Sequence, residues 1–325
     1  MKYIWLILAL TAIAAVCFFC YRQTLKSFYA SSQRAFPVPG LDTRFDEQGI
    51  TYDAPSGLFL FSGYMKDRTA SAVYLVDPKN GETVKKISLL TADGDDFTGH
   101  AGGVAVSGKY VYIAGSTDDC VYVYDRESIL KGETAVRCLG VFPLSTSKED
   151  GVRASFLASS DDGILYVGEF HYDLIPQLHS RENHTFGSGR GKTNALLVGF
   201  RINAEEPLGL EPTPCIAYRI PDKAQGAAIH DGTLTVSQAF GLSASSIISY
   251  SLSERTETAE LELLGASVPV FGLPEPHAKL RAIPLTEGIV EVDGRLYFSS
   301  ELANVFPKKL WRLIGCDLCF SIDAK

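Results

Sequence analysis

The sequence predicts an all-β fold: a five-bladed β-propeller preceded by one N-terminal transmembrane helix. Two observations predict the propeller, namely five copies of a strand pair joined at a glycine and further apolar runs between those copies. A third observation, a long apolar stretch near the N-terminus, predicts the helix. We therefore divide the 325 residues into a membrane anchor or signal segment (1–24), a linker with a closing outer strand (25–43) and a propeller (44–325).

The N-terminal segment, residues 4–21, is apolar apart from Thr11 and the hydroxyl group of Tyr21. As a helix it would rise about 27 Å, close to the thickness of the hydrocarbon core of a bilayer. Bulky residues end the segment, whereas a signal peptide usually ends at small residues. We expect a single-pass signal anchor in the cell membrane, with the propeller outside the cytoplasm. Secretion after signal cleavage is the main alternative, and a propeller left in the cytoplasm is the other.

Each repeat begins with a small residue, continues as an apolar strand, turns at a glycine and ends as a second strand that finishes in polar residues. The five copies begin at Gly49, Gly103, Ser155, Gly226 and Gly288. Their turn glycines are Gly57, Gly108, Gly163, Gly232 and Gly294. A tight hairpin requires a positive φ, which glycine adopts without steric cost. We therefore expect a positive φ at each of these five turns.

Further apolar runs complete the repeats. A third run follows each strand pair, at residues 71–77, 120–125, 194–202, 245–252 and 318–323. A fourth run follows in the first four units, at residues 82–90, 133–142, 214–221 and 258–265. Four short strands in a repeat of about 60 residues favour propeller blades over a sandwich or barrel.

The fifth unit has no fourth run of its own. We expect residues 32–40 to supply that outer strand and to join the two ends of the ring. Their prolines are tolerable because an edge strand has fewer backbone N–H groups that need partners. A six-bladed propeller, with one blade inside residues 265–286, is the alternative.

The repeats GVAVSGKYVYIAGS and GIVEVDGRLYFSS resemble those of the NHL, SMP-30/gluconolactonase and streptogramin-lyase propellers. The resemblance covers most of residues 44–325 and implies a propeller fold. Those families often have six or seven blades, so the expected number of blades departs from the commoner pattern. The sequence has no clear match to the acidic and amide metal ligands that a gluconolactonase would carry. The resemblance therefore implies a fold and no particular activity.

Loop lengths indicate which end of the ring handles a ligand. Short turns join the first strand to the second and the third to the fourth, whereas the long segments fall at the opposite end. These long segments are residues 91–101, 143–153, 170–193, 265–286 and 300–317. Binding residues concentrate on loops that a rigid scaffold carries. We expect this long-loop face to bind an unknown small molecule, glycan or protein.

Polar residues stand at equivalent strand ends on that face. The predicted ligand-binding residues are Gln48, His100, Arg153, Gln225, Gln238 and Glu287. The candidates for acid–base catalysis are Glu169, His171 and Glu301, because carboxylate and imidazole groups transfer protons. The candidates for holding a divalent cation such as Ca²⁺ through oxygen atoms are Glu169, Glu287 and Glu301.

Three functional readings follow from these residues. The first is an extracytoplasmic membrane-anchored propeller that binds a ligand without necessarily converting it. The second is a hydrolase, lactonase or lyase with a metal-assisted funnel site, and the third is a protein-interaction scaffold. A formal net charge of −8 argues against nucleic acid as a partner, because phosphate contacts need a basic surface.

Overall fold

The computed structural model describes residues 12, 16, 18–131, 133–147, 150–175, 185–186, 192–305 and 308–324. Most of the predicted membrane segment, residues 4–21, therefore lies outside the described residues. Among the helices that are described, none is both long and apolar enough to span a bilayer. Residues 18–24 are helical and lead into helix α1 (Lys26–Ser31).

Antiparallel strands in sets of four form most of the described chain. After the first strand, β1 (Ser32–Pro37), the first set is β2 (Phe45–Asp53), β3 (Leu58–Met65), β4 (Ala72–Asp77) and β5 (Glu82–Leu90). The second set is β6 (Ala101–Ser107), β7 (Tyr110–Gly115), β8 (Cys120–Asp125) and β9 (Ala135–Pro143), with helix α2 (Arg126–Lys131) before β9. The outer strands β5 and β9 pair in parallel, which joins these two sets into one eight-stranded sheet.

The second half of the chain continues the pattern with one insertion. The third set is β10 (Phe156–Ser159), β11 (Ile164–Gly168), β12 (Ala195–Ile202) and β13 (Leu210–Ile220). The strands that follow are β14 (Ala224–His230), β15 (Thr233–Gln238), β16 (Ala244–Ser251), β17 (Thr256–Leu263), β18 (Ala266–Gly272) and β19 (Ala278–Pro284). The last strands are β20 (Thr286–Val292), β21 (Arg295–Ser300) and β22 (Leu318–Asp323), with helix α3 (Lys308–Arg312) before β22.

The two ends of the described chain meet in one sheet of order β1-β22-β21-β20. Strand β1 pairs antiparallel with β22 from Ser32 opposite Ile322 to Pro37 opposite Leu318. The ring of Phe36 is buried and lies 5.1 Å from the ring of Phe59 on β3. The N-terminal strand thus occupies the outer position for which the sequence predicted residues 32–40.

The innermost strands β2, β6, β10, β14 and β20 contact one another in a closed cycle. Glycines allow the close approach: a Cβ atom on Gly288 would lie 2.5 Å from the backbone nitrogen of Ile50 and 2.9 Å from Cα of Gly49. Hydrophobic side chains of neighbouring sets fill the space farther from the axis. The architecture is therefore all-β and propeller-like.

All five turn glycines adopt a positive φ, between 54° and 77°, so this prediction is confirmed.

The prediction for the outer strand of the fourth set is wrong. Residues 258–265 fall in the hairpin β17–β18, which joins the third set through parallel pairing of β18 with β13. The strand that pairs with β16 is β19, which lies in the segment 265–286 that was expected to be a loop. Both β17 and β19 alternate apolar and polar residues, and only long-range packing decides between them.

We expect Gly288→Ala to destabilise the protein by about 1–3 kcal/mol, because the new methyl group would overlap backbone atoms that cannot rotate away. Gly272→Ala is the matched control, because the atom nearest to its new methyl group belongs to the side chain of Thr258, at 3.0 Å, and not to the backbone. Urea-induced unfolding of the full chain measures both effects. Equal stability of the two variants would contradict the proposed role of the glycine contact.

Candidate functional site

A cavity of about 480 Å³ opens beside the ends of the inner strands. Six residues predicted from the sequence line it together, namely Gln48, His100, Arg153, Gln225, Glu287 and Glu301. Phe170, Phe240 and Leu285 add apolar surface to the same cavity. The volume falls in the range of pockets that hold small organic molecules.

Irregular backbone at the start of the inner strands positions the polar residues. The pairing register shifts between Glu47 and Gly49 in β2, between Ala224 and Gly226 in β14, and between Thr286 and Ile289 in β20. An extra residue at such a bulge changes the direction of a side chain. Gln48, Gln225 and Glu287 occupy the bulges, and each of them lines the cavity.

Two carboxyl groups, those of Glu287 and Glu301, meet at the cavity and are hydrogen-bonded to each other. Gln225 Nε2 donates to Glu287 Oε1 at 3.2 Å. Burial raises the pKa of Glu287 well above its ordinary value, and the nearby charges of Glu301 and Glu47 raise it further. Burial and the charge of Asp46 raise the pKa of Glu301 to about 7. The pair therefore retains a proton near neutral pH.

Asp46 extends this acidic cluster and was missed by the sequence analysis. Its carboxylate lies 2.9 Å from Lys66 Nζ, accepts a hydrogen bond from the Tyr64 hydroxyl at 2.7 Å, and is hydrogen-bonded to Glu301. The sequence DEQG places Asp46 two residues before Gln48, a signal that could have found it. Lys66 supplies a positive charge beside these carboxyl groups, and Arg153 brings a second one to the lining of the cavity.

Glu47 lies beside the cluster, between β2 and β21, with 2% of its surface exposed. The Ser299 hydroxyl donates to its Oε2 atom at 2.6 Å. Burial raises the pKa of Glu47 to about 8. The hydrogen bond from Ser299 lowers this pKa, whereas the charge of Asp46 raises it. Burial therefore favours the protonated form of this carboxyl group.

His100 lies on the same side of the cavity, with its ring 4.8 Å from the ring of Tyr64. Its Nδ1 atom is buried and makes no hydrogen bond with the described residues. Burial lowers the pKa of His100, and the charge of Asp46 opposes that shift. A neutral imidazole at this position is available to accept or donate a proton.

Three predicted site residues, Glu169, His171 and Gln238, lie outside the described lining of the cavity. Glu169 is fully buried. Its two carboxylate oxygens accept hydrogen bonds from the backbone N–H groups of Arg153, at 3.1 Å, and Leu196, at 3.0 Å. His171 Nε2 lies 2.9 Å from an oxygen of Asp173. These contacts position the loop before β10 and the loop after β11.

Gln238 donates to the backbone oxygen of Asp222 at 2.9 Å and likewise lies outside the described lining. Of the three metal candidates, the structure brings Glu287 and Glu301 together, whereas the oxygens of Glu169 contact backbone N–H groups. A cation at the cavity would therefore contact Glu287 and Glu301.

Aromatic rings line the wall of the cavity near the loop that follows β15. The Phe170 and Phe240 rings are 6.1 Å apart, and the Tyr172 ring lies 4.4 Å from Phe240. Lys223 Nζ lies 4.3 Å from the centre of the Tyr172 ring. The cavity thus combines buried carboxyl groups with aromatic surface, an arrangement suited to organic cations.

No family model and no curated protein matches this chain. Among solved structures, it is similar to Myxococcus xanthus glutaminyl cyclase, with 11% identity, a TM-score of 0.47, and coverage of 90% of this chain and 97% of that chain. It is also similar to the Cps50 (Swd1) β-propeller domain of Myceliophteria thermophila, with 7% identity, a TM-score of 0.40, and coverage of 86% and 84%.

A third similar structure is hydrazine synthase of Kuenenia stuttgartiensis, with 12% identity and a TM-score of 0.40. The alignment covers 79% of this chain but only 56% of that one. None of these similarities identifies a shared activity.

We expect the protein to lose stability as the pH rises from about 5 to about 8. Folding raises the pKa of Glu301 to about 7 and that of Glu47 to about 8, so in this interval the native state binds more protons than the unfolded state. Each unit by which a pKa differs between the folded and the unfolded state corresponds to about 1.4 kcal/mol of stability. Glu301→Gln, which mimics the protonated acid, should reduce the loss of stability.

Thermal unfolding at a series of pH values measures this effect. The matched control is Glu262→Gln, because Glu262 is an exposed residue on β17. The explanation fails if the wild-type protein becomes more stable over this interval, or if the two variants respond alike.

Proposed function

We propose that the protein is a five-bladed propeller whose long-loop cavity binds a small organic cation, such as a primary amine. The observation that carries this proposal is the hydrogen-bonded pair Glu287–Glu301, which lies at a cavity with aromatic walls. The closed cycle of five inner strands and the pairing of β1 with β22 support the proposed number of blades.

Charge complementarity supports an amine as the ligand. Two neighbouring carboxyl groups cannot both ionise cheaply in a buried site, and a bound cation removes that penalty by replacing the retained proton. An ammonium group can donate to both Glu287 and Glu301 while its carbon chain contacts Phe170 or Phe240. A neutral alcohol of the same shape lacks the charge and should bind less tightly.

Acid–base catalysis on such a ligand is the second candidate function. The observation that favours it is the pKa of Glu301, about 7, which suits proton transfer at neutral pH. His100 provides a second titratable group on the cavity wall. In this alternative Glu301 and His100 transfer protons, and Glu169 and His171 only position the loops.

We also propose that the propeller is anchored to the cell membrane and lies outside the cytoplasm. The apolar segment 4–21 supports this proposal, and Leu25 and Phe28, which follow it, are fully buried against the domain. Tyr21 donates to the backbone oxygen of Leu242 at 3.3 Å, in the loop that also contributes Phe240 to the cavity. The anchor would therefore hold the mouth of the cavity close to the bilayer surface.

Exposed apolar side chains near this contact support the same orientation. Leu242 is 58% exposed and Leu313 is 61% exposed. Tyr29 on α1 donates to the backbone oxygen of Ile314 at 2.9 Å, which links the segment after α3 to the N-terminal helix. Apolar residues next to a membrane anchor are suited to the interfacial region of a bilayer.

We expect primary amines to raise the melting temperature of the full chain, whereas alcohols of the same shape should not. Stabilisation should grow with amine concentration, because the ligand binds the native state alone. Glu287→Gln and Glu301→Gln should abolish it, and Glu262→Gln should leave it unchanged. Thermal-shift titrations near neutral pH measure each response.

An equal response to amines and alcohols, or full amine binding by both cavity variants, would contradict the proposed binding function. Chemical conversion of a bound amine that is lost in His100→Gln, while amine binding to that variant persists, would instead favour the catalytic alternative.

The anchor has its own test in cell fractionation. We expect the full chain to remain with the membrane after an alkaline carbonate wash, because the apolar segment spans the bilayer. Replacing Leu8 and Ile13 by Asp should release the protein, since charged side chains are costly within the hydrocarbon core. Protease added to intact cells should digest the propeller. Release of the wild-type protein by carbonate, or full protection from protease, would contradict this proposal.

A further inference from the structure

The opposite end of the inner strands carries a second cluster of charged side chains, centred on His230 at the end of β14. Asp161 contributes from the turn between β10 and β11, Asp231 follows His230 directly, and Glu291 lies on β20. Three neighbouring sets of strands therefore meet at this imidazole. The acidic cavity described above has no residue in common with this cluster.

The distances around His230 Nε2 fit a small metal ion. Oδ2 of Asp231 lies 3.5 Å away and Oε1 of Glu291 lies 3.8 Å away. Ligands of a tetrahedral zinc ion lie about 2.1 Å from the metal, which separates them from one another by about 3.4 Å. The separation of Nε2 from Asp231 is already close to that value, and a small movement of Glu291 would bring its Oε1 atom to the same separation from Nε2.

The other nitrogen of the ring is already oriented by a carboxylate. His230 Nδ1 lies 2.6 Å from Oδ2 of Asp161. A histidine that binds zinc usually donates its other N–H group to a carboxylate or a carbonyl, which fixes the tautomer and the ring. Asp161 thus fixes the ring with Nε2 directed at Asp231 and Glu291.

We propose that His230, Asp231 and Glu291 form a zinc site at the short-turn end of the propeller, with Asp161 as the positioning residue. The imidazole ligand favours Zn²⁺ over Ca²⁺ or Mg²⁺, which prefer oxygen atoms alone. Three protein ligands leave a fourth position for water or an anionic group. Asp161, His230 and Glu291 also line a pocket of about 200 Å³ formed by the inner strands, which gives that position room for a ligand.

Isothermal titration of the chelator-treated full chain with ZnCl₂ tests the site. We expect one zinc ion per chain, no binding to this site in His230→Gln, and an affinity about 10–100-fold lower in Asp161→Asn. His277→Gln, a change at another exposed histidine, should bind zinc as the wild-type does. Cobalt substitution adds a spectroscopic test, since Co²⁺ in a tetrahedral site gives visible absorption that His230→Gln should lack.

The Glu287→Gln/Glu301→Gln double variant separates this site from the acidic cavity. The zinc proposal requires that this variant still bind one zinc ion. Loss of zinc in the double variant but not in His230→Gln would move the metal to the cavity and overturn the proposal. A wild-type protein that takes up no zinc would overturn it as well, and that result would leave the test with amines unaffected.

Discussion

The close approach of the inner strands at their glycines is the constraint on which the rest of the structure depends. A Cβ atom on Gly49 would lie 2.7 Å from Cα of Gly103, and one on Gly288 would lie 2.9 Å from Cα of Gly49. Backbones can come this close only where side chains are absent. The bulges beside these glycines direct Gln48 and Glu287 towards the axis. Ring closure and the polarity of the cavity therefore have a common origin.

Burying carboxyl groups beside one another costs stability, and the structure reduces that cost by retaining protons. Burial alone raises the pKa of Glu47 and Glu287, and each charged neighbour raises it further. Lys66 offsets part of the remaining charge through Asp46. Such an arrangement is stable when protonated and gains affinity for a cation when a proton leaves. The same feature that weakens the apo protein at high pH would thus provide the binding energy.

The sequence predicted the strand pairs, their turn glycines and six residues of the cavity, because these depend on local alternation and on position within a repeat. It could not predict that β19 rather than β17 pairs with β16, since both alternate alike and the choice depends on distant contacts. Glu169 also ends a second strand, but the N–H groups of Arg153 and Leu196 hold its carboxylate. Asp46, two residues before Gln48, escaped notice because its contacts with Tyr64 and Lys66 depend on the pairing of β2 with β3.

We infer that the Glu287–Glu301 pair retains a proton that a bound cation replaces. Carboxyl ¹³C NMR of the full chain labelled at glutamate measures this directly, with Glu287→Gln and Glu301→Gln assigning the signals. We expect a Glu301 carboxyl signal that titrates near pH 7 and whose midpoint falls when a saturating primary amine is added. A Glu301 signal that titrates near 4.5, the ordinary value, or a midpoint unchanged by the amine, would contradict it.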